Sequence, residues 1–393
     1  MVSYRPVPDD RTEDAQRILD YAFELESGPQ NYESGSTPNR LGELRGLFDD
    51  DEIVSVGTLY DFEARFRGDW IGLGGLGGIA TPPEYRRKGR VRDLVRESLA
   101  EFRDREVPLV ALWPFEHDFY RRLGWGTCQK YVEYELPPSA LAFASEPDDG
   151  SFRRVGPDDW DGLQDVHLAA GEGATLSTRR TDDWWRHRFT DWGHKPYAYA
   201  YERDGTVEGY VVYTVTETAD ERRLNVWEVS VRDPVATTAL LWFLHNHDSQ
   251  VSTVRLYRSD TDLLDRATDA ETVDCTVGMG PQVRIVDVVD ALDAMPVPDR
   301  EFDLRLAVSD PLAEWNDATF RIRTKAGHLS CRTSATGEPD ATVDVSTLSQ
   351  LIVGYFGVDD AERLAGLAVD GAETRAALSA LFQPETVTLR ELF

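Results

Sequence analysis

A glycine-rich apolar run followed by a basic segment is the feature that most constrains the fold of this chain. Residues 71–79 read Ile-Gly-Leu-Gly-Gly-Leu-Gly-Gly-Ile, and residues 86–92 hold five cations in seven positions. A helical pattern of apolar residues follows, from Val91 to Phe102. A strand, a basic loop with a glycine and a helix predict a pyrophosphate site, because a helix N-terminus offers unpaired N–H groups and a partial positive charge. A solvated basic turn is the alternative interpretation.

The length and composition indicate a multidomain globular protein. A chain of 393 residues predicts about two to three domains, and 41% apolar residues can fill several cores. There is no run of 18 apolar residues and no apolar segment at the N-terminus, so we predict no transmembrane helix and no signal peptide. The 3 cysteines are widely spaced, which argues against disulfides or a zinc site and favours a reducing cytoplasm.

The charge balance is strongly acidic. Asp and Glu total 71 against 42 Lys and Arg, for a formal net charge of -29. At molar salt the screening length falls to roughly 3 Å, so this self-repulsion would largely vanish. We therefore interpret the surface as adapted to a salt-rich cytoplasm, as in a halophile. An acidic surface that recruits cationic partners is the alternative, and nucleic-acid binding is disfavoured.

The chain divides into three pieces. Pro- and Gly-containing stretches at residues 137–150 and 295–299 indicate a linker and a second boundary. The first two pieces resemble each other, because Tyr4-Arg-Pro-Val-Pro-Asp-Asp recurs as Phe152-Arg-Arg-Val-Gly-Pro-Asp-Asp, each before a helical pattern. The second copy has neither the glycine nor the cations of the basic loop, so we expect it to keep the architecture without a phosphate site.

The basic loop resembles a known cofactor motif. The spacing Arg86-x-x-Gly89-x-Val91 is similar to the acyl-CoA pyrophosphate motif of GNAT acyltransferases, although a small residue usually stands where this chain has Val91. The resemblance implies that a bulged, glycine-rich strand binds pantetheine through the backbone of Ile79, Ala80 and Thr81. It also implies that the pyrophosphate is held by Arg86, Arg87, Lys88, Gly89, Arg90 and Val91.

A second motif, at residues 118–126, reads Asp-Phe-Tyr-Arg-Arg-Leu-Gly-Trp-Gly. It resembles the Phe-Tyr-x-x-x-Gly-Phe segment after the fifth strand of many GNAT enzymes. By that resemblance, Tyr120 is the general acid that protonates the departing CoA thiolate. Ordinary packing of an amphipathic helix is the alternative role for Tyr120.

Across essentially its whole length the chain resembles the Eis-like (enhanced intracellular survival) GNAT N-acetyltransferases. The resemblance implies an α/β (α+β) fold with tandem GNAT domains, each a mixed central sheet with flanking helices, and a C-terminal sterol-carrier-protein-like domain. We expect an active GNAT domain at 1–140, a degenerate one at 150–290 and the sterol-carrier-like domain at 296–393. A homo-oligomer, hexameric by the same resemblance, is also expected.

The resemblance assigns the end of the chain to the active site. The terminal carboxylate of Phe393 would act as general base, with a Phe closing a hydrophobic seam as the alternative. The candidate acceptor-binding residues are Glu24, Trp113 and Glu391, for which solvation or core packing are the alternatives.

The expected function is acetyl-CoA-dependent N-acetylation of a small-molecule or peptide amine by direct transfer, without metal, nucleic acid or membrane. The alternatives are a non-catalytic CoA- or lipid-binding assembly protein and an acyltransferase with a different donor.

Overall fold

The computed structural model describes residues 2–30, 41–190, 196–219 and 221–393. These residues form sheets of eight, seven and five strands and a pair of two short strands. They divide into two compact units, the first made of residues 1–129, 173–178 and 281–393, and the second of residues 130–172 and 179–280. The expected α/β (α+β) class is confirmed, with mixed sheets flanked by helices.

The strands come from every part of the described chain. In sequence order they are β1 Val2–Pro6, β2 Glu43–Asp49, β3 Glu52–Phe66, β4 Asp69–Ala80, β5 Leu109–Leu112, β6 Gly126–Thr127, β7 Lys130–Leu136, β8 Ser151–Arg154, β9 Ala174–Thr175, β10 Thr178–Arg179, β11 Tyr197–Arg203, β12 Thr206–Glu217, β13 Arg222–Val231, β14 Thr253–Arg258, β15 Asp274–Met279, β16 Gln282–Ile285, β17 Phe302–Ser309, β18 Ala318–Lys325, β19 His328–Thr333, β20 Ala341–Asp344, β21 Ala368–Val369 and β22 Thr386–Val387.

The helices are short or of medium length, and in the described residues none is long and apolar enough to cross a membrane. In sequence order they are α1 Thr12–Phe23, α2 Arg90–Asp104, α3 His117–Arg121, α4 Trp160–Ala170, α5 Asp182–Thr190, α6 Pro234–His245, α7 Asp262–Arg266, α8 Val288–Asp293, α9 Val345–Ile352, α10 Val358–Leu364 and α11 Ala372–Leu381.

The first sheet has the order β1-β2-β3-β4-β5-β16-β6, with β10 paired to β3 as its eighth strand, and β4 and β5 pair in parallel. Helix α2 buries Val95, Leu99 and Phe102 against this sheet, at the spacing that puts apolar side chains on one helical face. Helix α1 buries Ala15 and Leu19 with a separate group of strand residues. The sheet is therefore a layer between helices.

Two strands lie outside the sheet that the sequence order suggests. Strand β16 follows the second copy of the repeat, yet it pairs with β5 and β6 of the first sheet. Strand β7 directly follows β6, yet it pairs with β14 and β15 in the second sheet. The domain boundaries at 140, 150, 290 and 296 stay predictions. The sheets exchange β7 near the boundary at 140 and β16 near the boundary at 290.

The second sheet has the order β15-β7-β14-β13-β12-β11-β8. Its hydrophobic core includes Ala140, Leu141 and Ala144, which are all buried. These residues belong to the stretch 137–150 that the sequence suggested as a linker. That interpretation is wrong for its first half, because a turn of 3-10 helix, Pro138–Leu141, packs its apolar side chains into this core.

The third sheet, β19-β18-β17-β20-β21, belongs to the C-terminal part of the first unit. A fully buried ion pair ties it to the first sheet, since Arg284 of β16 donates to both carboxylate oxygens of Asp310 at 2.7 Å. Arg284 also donates to the carbonyl of Leu123 at 2.6 Å. Gly124 has a φ of +88°, and an added Cβ there would lie 1.7 Å from Arg284, so only glycine fits.

Replacing Asp310 with Asn should lower the free energy of unfolding by about 3–5 kcal/mol, because Arg284 would remain buried without a countercharge. Chemical denaturation in concentrated KCl measures this loss. The matched control is Arg96→Ala, which removes an ion pair with Glu97 whose side chains are 46% and 40% exposed and should cost under about 1 kcal/mol. Equal losses in the two variants would contradict the importance of the buried pair.

Candidate active site

Strand β4 carries a bulge near its C-terminal end. Gly78 and Ile79 of β4 lie opposite one residue of β3, Gly57, where the pairing register shifts. Gly78 has a φ of +54°, a backbone conformation that favours glycine. The bulge lies where the sequence suggested it, and two of the three residues expected to bind pantetheine, Ala80 and Thr81, follow it directly.

The bulged strand separates from its neighbour. Strand β4 pairs with β5 only from Leu73 to Gly75, opposite residues 109–111, although β4 continues to Ala80. Within the described chain, the backbone of β4 beyond Gly75 therefore has no strand partner on the β5 side. Such an open edge can pair with an extended ligand through its N–H and C=O groups.

Helix α2 begins immediately after the basic loop. Its N-cap residue is Gly89, with a φ of +77° and no side chain to cap the helix. An added Cβ at Gly89 would find no atom within 4 Å, so the space above it is open. The first N–H groups of an α-helix, here from Arg90 onward, lack intrahelical acceptors and can bind an anion.

Two cations of the basic loop are tethered by the protein. Arg86 donates from Nε to the carbonyl of Thr81 at 3.0 Å. Arg90 lies 3.7 Å from the carboxylate of Asp49. These contacts connect both ends of the loop to the first unit of the protein.

The middle of the loop faces outward. Arg87 and Lys88 are both exposed, and the Lys88 ammonium lies 5.2 Å from the centre of the Tyr85 ring. Val91 instead packs its side chain against the core beneath α2. The side chain that departs from the motif therefore points into the protein, and its backbone N–H remains part of the first helical turn.

The corresponding helix of the second copy has a capped N-terminus. Helix α6 has Asp233 as N-cap, whose carboxylate accepts a hydrogen bond from the N–H of Ala236 at 2.7 Å, and its first residue is Pro234. Burial raises the pKa of Asp233, but the Ala236 hydrogen bond and Arg203 outweigh this and lower it below its usual value. A permanent carboxylate thus occupies the place that is open at Gly89.

Tyr120 lies on α3, with 3% of its surface exposed. Its ring makes edge contacts with Phe119 and Phe115, at centroid distances of 5.1 and 5.7 Å, and with Trp125 at 6.3 Å. Burial raises the pKa of the Tyr120 phenol well above its usual value, so the hydroxyl keeps its proton at neutral pH. In the described chain, no hydrogen bond engages this hydroxyl.

Phe393 packs on the glycines of β4. Its ring lies 5.3 Å from that of Tyr60 and 5.0 Å from that of Phe62. An added Cβ at Gly75 would lie 2.9 Å from this ring, and one at Gly77 would lie 2.9 Å from the terminal oxygen. The terminal group therefore lies against the strand immediately before its bulge. We call Gly75 and Gly77 the glycine slot.

Two of the three candidate acceptor-binding residues contact each other. Trp113 donates from its indole Nε1 to the backbone carbonyl of Glu391 at 2.5 Å. The side chain of Glu391 is fully buried and accepts a hydrogen bond from the Thr178 hydroxyl at 3.0 Å. The structure thus brings Trp113 and Glu391 together near the end of the chain.

Glu24 is not brought to this group in the described residues. It is exposed at the C-terminal end of α1, where its backbone N–H donates to Asp20 and its carbonyl accepts from Gly28. Residues 31–40, which come shortly after it, lie outside the described ranges. The role of Glu24 stays a prediction.

Sequence comparisons match three segments of the chain to domains of two known types. Residues 3–128 match an acetyltransferase (GNAT) domain, residues 176–285 match a second acetyltransferase (GNAT) domain, and residues 288–390 match a sterol carrier protein domain. Curated relatives include an uncharacterized N-acetyltransferase of Streptomyces griseus, 25% identical over 83% of this chain and 82% of its own length. One from Streptomyces avermitilis is 24% identical over 73% of each chain. The chain is a GNAT acetyltransferase.

Solved structures show the same fold over the whole length of the acetyltransferase. A GCN5-related N-acetyltransferase from Anabaena variabilis covers 100% of both chains with a TM-score of 0.86 and 18% identity. Eis1 from Mycobacterium abscessus covers 100% of both chains with a TM-score of 0.77 and 22% identity. In its described residues the acetyltransferase has no group of three His, Cys, Asp or Glu side chains that could hold a metal ion.

Sequence reasoning missed several residues that shape this site. The glycine slot had a signal, because Gly75 and Gly77 alternate along a strand and so face one side, but no pattern named the ring that fills it. Thr178 carried no signal. The capping role of Asp233 could have been read from Asp233-Pro234 at a helix start.

Replacing Gly77 with Ala should displace the end of the chain, because its Cβ would lie 3.0 Å from the carbonyl carbon of Phe393. We expect overpacking to lower the free energy of unfolding by about 1–3 kcal/mol. We also expect faster amide hydrogen exchange in residues 388–393. The control in the same strand is Gly72→Ala, whose Cβ would meet nothing closer than Val107 at 3.9 Å. Equally slow exchange in both variants would rule out the glycine slot.

Proposed function

We propose that this GNAT acetyltransferase moves an acetyl group from acetyl-CoA to the amine of a small molecule or peptide, by direct attack, at the first domain. The observation that carries the proposal is the open edge of β4 beyond Gly75, which leads through a bulge to the uncapped start of α2. An extended pantetheine arm and a pyrophosphate need these two features in this order.

The donor is held mainly by backbone groups. The strand edge at Ile79, Ala80 and Thr81 pairs with pantetheine, and the first N–H groups of α2 bind the pyrophosphate. Arg87 and Lys88 supply positive charge from the exposed middle of the loop, which matters in a chain of net charge -29. Arg86 is also exposed and adds positive charge, Arg90 lies beside Asp49, and Gly89 and Val91 contribute backbone groups at the helix start.

Through water, the terminal carboxylate of Phe393 takes the one N–H proton that must leave as the neutral acceptor amine attacks. Its nitrogen lone pair attacks the thioester carbonyl carbon, whose oxygen the N–H groups of the bulged strand polarise. The tetrahedral intermediate then breaks its C–S bond, and Tyr120 gives its proton to the CoA thiolate. The raised pKa of Tyr120 supports this role, because the phenol is protonated at the start of the step.

The second domain is the non-catalytic copy. Asp233 supports this assignment, because its carboxylate already occupies the helix N-terminus and would repel a phosphate. The order of two GNAT domains and a sterol carrier domain supports an Eis-like protein with one donor site per chain. A hexameric, cytoplasmic, salt-adapted form belongs to the same proposal, and sedimentation in concentrated KCl tests its oligomeric state.

The activity and the acid are tested together by thiol release from acetyl-CoA with a panel of amines at high KCl. Wild-type protein should turn over, and Tyr120→Phe should lower kcat by roughly 10²–10⁴-fold without changing the Kd for acetyl-CoA. The matched control is Tyr355→Phe, which removes a hydroxyl that is also partly buried, in the C-terminal domain, and should leave kcat unchanged.

Binding of CoA without thiol release for any amine would instead favour the binding-protein alternative. Turnover by Tyr120→Phe at the wild-type rate would exclude this residue as the acid. The raised pKa of Tyr120 adds a further check, because turnover should not fall between pH 7 and 10 through ionisation of this phenol.

The base is tested by adding one glycine after Phe393. The carboxylate would then move away from Gly77, and kcat should fall by roughly 10²–10⁴-fold while acetyl-CoA still binds. Leu392→Ala is the control, because Leu392 is 42% exposed and its loss keeps the carboxylate in place. Unchanged turnover in the extended protein would exclude the terminal base.

A further inference from the structure

We propose that Trp113 and Thr178 are positioning residues that hold the terminal carboxylate at Gly77 by clamping Glu391, two residues before the end of the chain. This inference rests on the proposed role of Phe393 as general base. It gives Trp113 and Glu391 a role other than acceptor binding, and it adds Thr178, which no motif suggested.

The first half of the clamp acts on the backbone. Trp113 follows β5 directly, and β5 is a fully buried central strand. The indole N–H can only donate, and it donates to the carbonyl of Glu391 at 2.5 Å. This hydrogen bond therefore fixes the backbone of Glu391 relative to β5, and with it the two residues that follow Glu391.

The second half acts on the side chain. Glu391 is 0% exposed and Thr178 is 2% exposed, and the Thr178 hydroxyl donates to Oε1 of Glu391 at 3.0 Å. Burying a carboxyl group is costly unless it is hydrogen-bonded, so this contact at Oε1 favours the buried position of the Glu391 side chain. The side chain of Glu391 therefore serves as an anchor pointing into the protein.

The segment that carries Thr178 also pairs with the last residues of the chain, 383–393, which we call the tail. Residues 174 and 175 of β9 pair with residues 386 and 387 of β22, and the N–H of Thr388 donates to Thr175 at 2.8 Å. Leu389 is then held through its N–H by the side-chain oxygen of Gln129 at 2.7 Å. The tail thus arrives at the clamp along a fixed path.

The clamp and the glycine slot together define the position of the carboxylate. Glu391 precedes Phe393 by two residues, or about 7 Å of extended chain, so a shift at Glu391 is passed on to the terminal group. A reacting group misplaced by 1 Å can lose about 10²-fold in rate. The clamp should therefore affect the chemical step more than the binding of either substrate.

The test is Thr178→Val and Trp113→Phe, each of which removes a donor and keeps most of the side-chain volume. We expect kcat to fall about 10- to 100-fold with KM for acetyl-CoA unchanged. Thr178→Ser restores the donor and should recover most of the wild-type rate. The control for the indole is Trp315→Phe, which removes a similar indole bond to the carbonyl of Val286 at 2.8 Å, away from the tail.

A double-mutant cycle separates positioning from a merely structural role. If the clamp acts through the carboxylate, Thr178→Val should cost almost nothing in the protein extended by one glycine, because the base is already displaced. Additive losses, a changed KM with intact kcat, or no recovery in Thr178→Ser would overturn the clamp. If the extension alone left turnover unchanged, the general base itself would fail, which is a distinguishable result.

Should Thr178→Val or Trp113→Phe fail to fold, Glu391→Gln keeps both the backbone carbonyl and a side-chain acceptor. It should retain turnover within about threefold of wild type, since each bond of the clamp can still form. A loss as large as that of the extended protein would show that the charge of Glu391, and not the clamp, is what turnover requires.

Discussion

Strand β4 must accommodate different neighbours at successive residues, and the rest of the site depends on this. An added Cβ at Gly74 would lie 2.7 Å from Phe102 of α2, whereas one at Gly75 would lie 2.6 Å from Phe62 on the other face. Gly77 lies against the end of the chain, and Gly78 forms the bulge. A side chain at Gly74, Gly75 or Gly77 would collide with these neighbours, so the glycines permit close packing on both faces of one strand.

The two GNAT domains differ in how the N-termini of their corresponding helices are capped. Gly89 leaves the first N–H groups of α2 open, while Asp233 supplies a carboxylate to those of α6. A carboxylate cap stabilises a helix by about 1 kcal/mol. A carboxylate cap and a bound phosphate would compete for the same N–H groups, so the uncapped start of α2 agrees with the proposed donor site and the capped start of α6 agrees with its absence from the second domain.

Local patterns predicted much of this molecule. The glycine-rich strand, its bulge, helix α2 and the paired strand–helix starts of the two repeats all carry their signal within a few residues. The exchange of β7 and β16 between sheets has no such local signal, because pairing between residues 111 and 283 leaves no periodicity in either segment. The burial of Glu391 was also invisible, since its position depends on Thr178, a partner 213 residues away.

The tail links catalysis, as proposed, to the integrity of the C-terminal domain. Arg67, between β3 and β4, donates to the carbonyls of Leu351 and Ile352 at the end of α9 and to that of Gln383, where the tail begins. A base delivered by the chain terminus reaches β4 only when this domain is folded and joined to the first sheet. Leu312 of this domain packs in the same core as Val95 and Leu99 of α2, and Arg92 of α2 donates to the carbonyl of Pro311. An unfolded or detached C-terminal domain would therefore remove the proposed base and also leave the core side of α2 uncovered, so both the proposed donor site and the proposed base depend on the complete fold.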